Sequence, residues 1–403
     1  MITLGISAID KDSALCILRD TEILYAVSEE SLTRKKRQDG FPTQALEEGL
    51  RITGLSLSEI DAICHPVLTT THEQKIRRGA AYKNFAYVLG QNDYPLSRRL
   101  MHLANSIRTL PFSNTPETNR ELESELANRG ALEKLQRYHY QMSHAASSFY
   151  TVDAERALIV SFNGDGCGLA GGFFLGEGGR IKLLQGIDSP HSMVSFYEGM
   201  ARSLNVPSDR RDSKIHSLAS NGDPSILFGK VLRRFDTSAP ETFRIIDPHN
   251  ILFEYFISRR YSREDIAAAY QAVLEDVVIK YVAQHAKRVV TDTVCLTGTL
   301  CTNTKLNQRI AEINGIKTVH VYPGTNNAGT ALGACLLHVA AKNGGLRPNP
   351  LNSVLRSRDF HQDRLKRSFS DSGLAAIHCS NGSEPYIATP LNQKPEDHPA
   401  APN

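Results

Sequence analysis

The sequence predicts an α/β protein of two similar lobes flanking a cleft. Three observations carry that prediction. A chain of 403 residues with 41% apolar content is longer than one hydrophobic core usually serves, so two packed lobes are expected. One β-meander occurs twice, over residues 2–27 and again over 157–186, about one domain length apart. After residue 264, strand-like runs alternate with helical periodicities, the pattern of an α/β layer.

Each element follows from its local pattern. Ile2–Ile9 is an apolar strand closed by Asp10-Lys11-Asp12; Ala14–Leu18 follows, and Asp20-Thr21-Glu22 turns the chain into Ile23–Val27. Ala45, Leu46, Leu50 and Ile52 have helical spacing, and Leu55–Ile63 leads into a further alternation. Residues 73–110 are basic without a clean period, and 116–135 read as a solvated helix. Ala157–Phe162 is a strand ending in an Asn163-Gly164-Asp165-Gly166 turn. Leu169–Leu175 comes next, and Gly176-Glu177-Gly178-Gly179 turns into Ile181–Gly186. A long helix is expected over 264–289, strands at Val294–Thr297 and Thr318–Val321, a polar turn at Gly298–Asn307, and a helix of small residues at Ala331–Ala340. Beyond Lys342 the chain is polar and proline-rich, as in a disordered tail. The expected division is residues 1–155, a first lobe with a helical insertion, 156–345, a second lobe, and 346–403, a linker and tail.

Composition narrows the function classes. Lys and Arg number 46 against 43 Asp and Glu, a net charge of +3, which offers no general pull toward nucleic acid or anionic membrane. No apolar run of about 18 residues occurs, so no membrane span is expected. The start, Met1-Ile2-Thr3-Leu4-Gly5-Ile6, reads as a strand and not as a signal peptide. Seven scattered cysteines without a CxxC pair support neither a zinc knuckle nor a disulfide framework, and a reducing cytoplasm is expected.

Several segments taken in order resemble the N-terminal domain of O-carbamoyltransferases of the NodU/CmcH/TobZ type. They are Gly5-Ile6-Ser7 with Asp12-Ser13-Ala14; Ser28-Glu29-Glu30 through Lys36; Ser143-His144-Ala145-Ala146 through Tyr150; Asn163–Gly166; Asp212-Ser213-Lys214 through Ala219; Gly298–Asn303; and Pro323–Ala334. The resemblance spans roughly residues 1–345. It implies two ribonuclease-H-like lobes of the actin–hexokinase–sugar kinase (Kae1-like) type. It also implies a small-molecule acceptor whose hydroxyl receives a carbamoyl group from a nucleotide-activated donor. A YrdC-like domain makes that donor in full-length relatives, so the activating protein here would be a separate partner. The readings are then a stand-alone carbamoyltransferase-like enzyme of natural-product biosynthesis, as in antibiotic formation, or an inactive homologue that binds or scaffolds an active one. A homo-oligomer is compatible with both; a nucleic-acid or membrane partner is not expected.

The site residues implied by the resemblance depart from its pattern. The family's metal centre uses His-x-x-x-His and a later Asp; here the matching positions are Tyr140, His144 and Asn327, so no metal is expected. His139 lies five residues from His144, about 140° round a helix, and cannot substitute. His144 is then part of a retained weak metal site, a diverged catalytic group, or a hydrogen-bonded cleft histidine. Lys11 replaces the family's basic histidine ahead of Asp12. It can hold an anionic group, or act as a base only if burial shifts it, or simply be a turn lysine. Asp12 can orient the acceptor or fix its turn. Asn163, Gly164, Asp165 and Gly166 offer backbone N–H groups to a phosphate, and Cys167 is a nucleophile or a small apolar filler. Lys35 is a donor-gripping cation or part of a solvated face. Gly298 with Asn303, and Asn327 with Gly329, precede helix N-termini that bind a donor phosphate or serve as lobe-closing turns.

Overall fold

The computed structural model describes residues 1–90, 100, 117–207, 211–246, 251–351, 374–377 and 387–390. Residues 1–356 form one compact unit. Its first sheet holds β1 (Ile2–Ser7), β2 (Ala14–Arg19), β3 (Glu22–Ser28), β4 (Ala62–His65) and β5 (Leu135–Arg137) in the order β3-β2-β1-β4-β5. The meander is antiparallel, and β4 and β5 join in parallel. The second sheet contains β6 (Arg156–Gly166), β7 (Leu169–Glu177), β8 (Arg180–Asp188), β11 (Thr293–Thr297) and β12 (Thr318–Val321). Read from β8, its order is β8-β7-β6-β11-β12, with the same directions throughout. The repeated meander is thus part of a repeated five-strand sheet. A two-strand ribbon, β9 (Phe235–Asp236) with β10 (Arg244–Ile245), flanks it.

Parallel strands need crossovers. In the first lobe α1 (Glu29–Thr33) and α2 (Thr43–Thr53) connect β3 to β4, while α3 (Thr70–Gly90) and α4 (Glu117–Asn128) lie between β4 and β5. Buried Glu29 accepts the amides of Gln44 at 3.0 Å and Ala45 at 2.8 Å, which satisfies free N–H groups at the start of α2. The aperiodic stretch after residue 73 begins as a 21-residue helix. Residues 91–99 and 101–116 lie outside the described residues. The expected solvated helix is amphipathic: Leu122 and Leu126 are fully buried in the core made by Leu4, Ile6, Leu15 and Ile63.

The second lobe inserts α6 (Met193–Ser203), α7 (Arg211–Ala219), α8 (Phe228–Leu232), α9 (Ile251–Ser258) and α10 (Arg263–Val289) before β11. Ser262 caps α10 through the amide of Asp265 at 3.0 Å, with acids in its first turn and Lys287 and Arg288 in its last. Phe196, Tyr270, Val277 and Tyr281 pack under β6 and β7.

Between the sheets lie α5 (Tyr140–Phe149) and α12 (Gly329–Asn343), whose core joins Cys16 and Cys64 of one sheet to Ile159 and Cys295 of the other. The sequence places α12 in the second lobe, yet it packs on β1, β2 and β4 of the first. Gly333 is what permits the crossing, because a Cβ there would strike the backbone of Ser143 on α5. The boundary near residue 155 therefore divides the sheets, while both central helices serve the seam. The second unit, residues 357–403, contains the hairpin Leu374–Ile377 with Ile387–Pro390; the rest of the expected tail beyond residue 351 lies outside the described residues.

Candidate active site

The seam helices, with the loop ahead of α12, bring Tyr140, His144 and Asn327 together. His139 is the N-cap of α5, its imidazole accepting the amide of Gln141 at 3.1 Å, so the helix begins at Tyr140. The Tyr140 hydroxyl donates to Asn327 Oδ1 at 2.5 Å. The rings of Tyr140 and His144 meet edge to face with centroids 4.7 Å apart. Asn327 Nδ2 donates to the Lys11 carbonyl at 2.9 Å and approaches Asp10 at 3.4 Å. The first turn of the first lobe is thereby tied to the loop before α12.

These donors do not suit a cation. Burial holds the Tyr140 phenol far above its ordinary range and therefore neutral. It donates its proton to one lone pair of Asn327 Oδ1, a neutral amide oxygen and a weaker ligand than a carboxylate. Burial pushes His144 down to about 3. Its Nδ1 meets Thr297 Oγ1 at 3.3 Å, and its Nε2 has no hydrogen bond among the described residues. One imidazole nitrogen and at most one amide lone pair remain, short of the three protein ligands a catalytic zinc takes. No metal-competent His/Cys/Asp/Glu cluster occurs among the described residues.

The Asn163–Gly166 tract is not the open phosphate loop the sequence suggests. It continues β6, with a register shift between Phe162 and Gly166, and the hairpin turn falls at Cys167-Gly168, both at positive φ. Asn163 is buried: Nδ2 donates to Gln141 Oε1 and Ser161 Oγ at 3.0 Å each, and Oδ1 accepts the Thr299 amide at 3.0 Å. Asp165 accepts Arg77 at 2.7 Å and the Ser189 hydroxyl at 2.6 Å, an ion pair that fastens α3 to β6. Gly166 is required by the Tyr140 ring, which fills the place of its Cβ. Gly164 alone in the tract has open space beside it.

Other candidates are similarly engaged. Cys167 is buried and its thiol is pushed up to about 11, so it is a turn residue and not a poised thiolate. Gly298, at φ +93°, lets its turn lie against the Phe162 carbonyl. Asn303 caps α11 (Thr304–Ala311) through the Leu306 amide at 3.0 Å and exchanges hydrogen bonds with Gln271. Gly329 packs against Gly324 inside its own loop. Lys35 is exposed after α1; within that basic run it is Arg37 that acts on Asp12.

Asp12 and Lys11 remain available. Asp12 is half-buried at φ +57°, and its carboxyl is raised by burial despite the opposing charges of Arg37 and Lys11. Ser13 fixes this turn, its amide donating to Gln38 at 2.8 Å and its hydroxyl to Gly40. Residues that pattern reading missed are Gln141, Thr297 and Arg77. Gln141 accepts Ser161 at 2.8 Å and Asn163, and donates to Leu169 at 2.9 Å, which makes it the hub between α5 and the second sheet. Its place beside Tyr140 on a small, apolar helix was the available signal.

Two equivalent five-strand sheets joined by central helices, with the interlobe loops meeting at the seam, define the actin–hexokinase–sugar kinase class. HypF of T. kodakarensis matches with a TM-score of 0.50 and 12% identity over 86% of this chain and 49% of that one. The family model for the carbamoyltransferase N-terminus matches residues 2–336, and the chain belongs to that family. An uncharacterized Synechocystis protein is 27% identical over 83% of this chain and 56% of its own length. The nodulation protein NolNO of Sinorhizobium fredii is 23% identical over 81% of this chain and 46% of its own. The chain spans about half the length of these curated relatives. Among the described residues no helix is long and apolar enough to cross a membrane.

Proposed function

We propose that this chain is the transferring part of a carbamoyltransferase system, moving a carbamoyl or related acyl group from a nucleotide-activated donor to the hydroxyl of a small molecule. The observation that carries the reading is the half-buried Asp12 carboxylate on the family's acceptor-side turn, held against the seam by the Asn327–Lys11 hydrogen bond. Burial makes that carboxylate more basic than an exposed one. The acceptor oxygen forms a bond to the donor's carbonyl carbon. The carbon–oxygen bond to the adenylate phosphate breaks, AMP leaves with that electron pair, and the acceptor's proton passes to Asp12. Lys11 faces the developing oxyanion or the leaving phosphate as a cation. Tyr140 and Asn327 orient the turn and do not bind a metal. The activated donor would come from a YrdC-like activity. The test is AMP release from carbamoyl adenylate with alcohol acceptors. Asp12→Asn should lower kcat by about 100-fold or more at unchanged stability; full activity in that variant would remove Asp12 from the chemistry.

A second reading is favoured by the closure of the network. Tyr140, Asn327, Asn163 and Asn303 all spend their polar atoms internally, as befits a catalytically silent homologue that binds an active carbamoyltransferase. Co-purification with such a partner, with no AMP release from the isolated chain, would support it; turnover by the isolated chain would exclude it.

A further inference from the structure

A cavity of about 520 Å3 lies between α3, β8 and the chain entering β10. That volume is within the roughly 300–1,000 Å3 of small-molecule sites. None of Asp12, Tyr140, Asn163 or Asn327 lines it, whereas His139, the cap of α5, does, so it is a separate compartment that shares one wall with the seam. Two half-buried residues of β8, Asp188 and Gln185, line it with acceptors that have nothing to accept. Asp188 is the N-cap of the short 3-10 turn Ser189–His191, in extended backbone. From that position an aspartate usually accepts an amide of the turn, yet here the side chain makes no capping hydrogen bond. Its carboxyl has neither a hydrogen bond nor an ion pair among the described residues. Gln185 spends its Nε2 on the Gly186 carbonyl at 2.8 Å, and its Oε1 has no donor among the described residues.

A partly desolvated acceptor left without a donor costs free energy that a ligand's donors can recover. Burial raises the Asp188 carboxyl, which registers that desolvation. The neighbours decide what kind of donor fits. Lys75 and Lys83 of α3 also line the cavity, so an ammonium ligand would meet like charge, and a carboxylate or phosphate ligand would meet Asp188. A hydroxyl supplies the donor and carries no charge. Two acceptors three residues apart on one strand suit a pair of adjacent hydroxyls. Ile76, Ala80, Leu169, Leu183 and Phe243 supply apolar lining, which rewards the hydrocarbon part of a ligand as it leaves water.

We propose that this cavity binds a small uncharged organic molecule through adjacent hydroxyl groups, which donate to the Asp188 carboxyl and Gln185 Oε1 while its apolar body rests on Ile76, Leu183 and Phe243. In the transferase reading this ligand is the acceptor; that role rests on the reading, while the binding does not. Because α3 is fastened to β6 by the Arg77–Asp165 ion pair, the cavity and the seam are held in fixed relation.

The test is isothermal titration of the full chain with phenyl β-glucoside, which joins adjacent hydroxyls to an apolar ring. Glucose carries the hydroxyls alone, and phenyl β-glucuronide adds a carboxylate. The glucoside should bind about tenfold or more tightly than either. Asp188→Asn keeps the side chain's shape and exchanges a charged acceptor for a neutral one, so it should weaken the glucoside by about tenfold. Gly79 lines the cavity from α3, and a Cβ there would meet nothing within 4 Å. Gly79→Leu should therefore occupy the space and remove glucoside binding, while a leucine inside a helix suits the fold better than a glycine; circular dichroism checks both variants. Glucuronide binding as tight as the glucoside, unchanged binding in either variant, or no glucoside binding at millimolar concentration would overturn the proposal. Glucoside binding without its carbamoylation would leave the proposal standing and remove only the acceptor role.

Discussion

Replacing Tyr140 by phenylalanine removes one oxygen from the middle of the seam and little else. The ring keeps its edge-to-face contact with His144 and its place over Gly166, so no cavity opens. What is lost is the 2.5 Å hydrogen bond to Asn327 Oδ1. Asn327 is 5% exposed, and no other donor reaches that oxygen among the described residues. An orphaned buried acceptor costs about 1–3 kcal/mol, or roughly 5- to 150-fold in the unfolding equilibrium. Urea unfolding followed by circular dichroism measures this directly. The midpoint should fall while the slope is preserved, and dialysis against a chelator should change neither protein. An unshifted midpoint would mean that Asn327 Oδ1 finds another donor. A wild-type midpoint that drops on chelation would mean that a cation sits at these residues, which would refute the self-satisfied seam.

Four further outcomes follow from the same geometry. Gly166→Ala should destabilise by about 1–3 kcal/mol, because the added methyl meets the rigid Tyr140 ring; chemical denaturation reads it. Native Cys167 should resist iodoacetamide at pH 7.5, since its thiol is buried and held near 11, and should react once urea exposes it; peptide mass spectrometry locates the adduct. His65 and His144 are held down to about 4 and about 3 by burial. Below the ordinary value of about 6.5 the unfolded chain takes up protons that the native one refuses, so each histidine withdraws up to about 1.4 kcal/mol per pH unit as pH falls from 6.5 toward its native value; unfolding titrations between pH 7 and 4.5 should show that slope. Arg77→Met should leave overall stability within about 1 kcal/mol, as its ion pair with Asp165 is partly exposed, but should hasten proteolytic cleavage within α3.

The architecture was legible because it is written twice. Two meanders with the same turn rhythm announced two sheets, and their shared strand order completes the repeat. What stayed hidden has physical causes. Helix α3 carries buried Ala80 and Ala81 on one side and exposed Tyr82 and Phe85 on the other, so its apolar residues mark no core-facing stripe. Helix α12 reads as a second-lobe element because it follows β12, and only packing reveals that Gly333 lets it cross α5.

The site was legible in composition more than in role. Tyr140, His144 and Asn327 converge at the seam, although Asn327 is far from the other two in sequence. Gly166 looked like a phosphate glycine, since a pattern cannot distinguish a glycine that admits a ligand from one that admits a neighbouring ring. Asn163 and Asn303 looked available, but hydrogen bonds to Thr299, Gln141 and Gln271 consume them. Such bonds join residues distant in sequence and leave no local signature.

Carbamoyl transfer in the presence of a chelator bears most directly on the function. The chain would be incubated with carbamoyl adenylate generated in place by a YrdC-type enzyme, with alcohol acceptors, and AMP and carbamoylated product would be followed after the donor-forming step is complete and a chelator has been added. Product formation at the same rate with and without chelator is the predicted result. Transfer that stops on chelation and returns with a divalent cation would contradict the proposed metal-independent transfer.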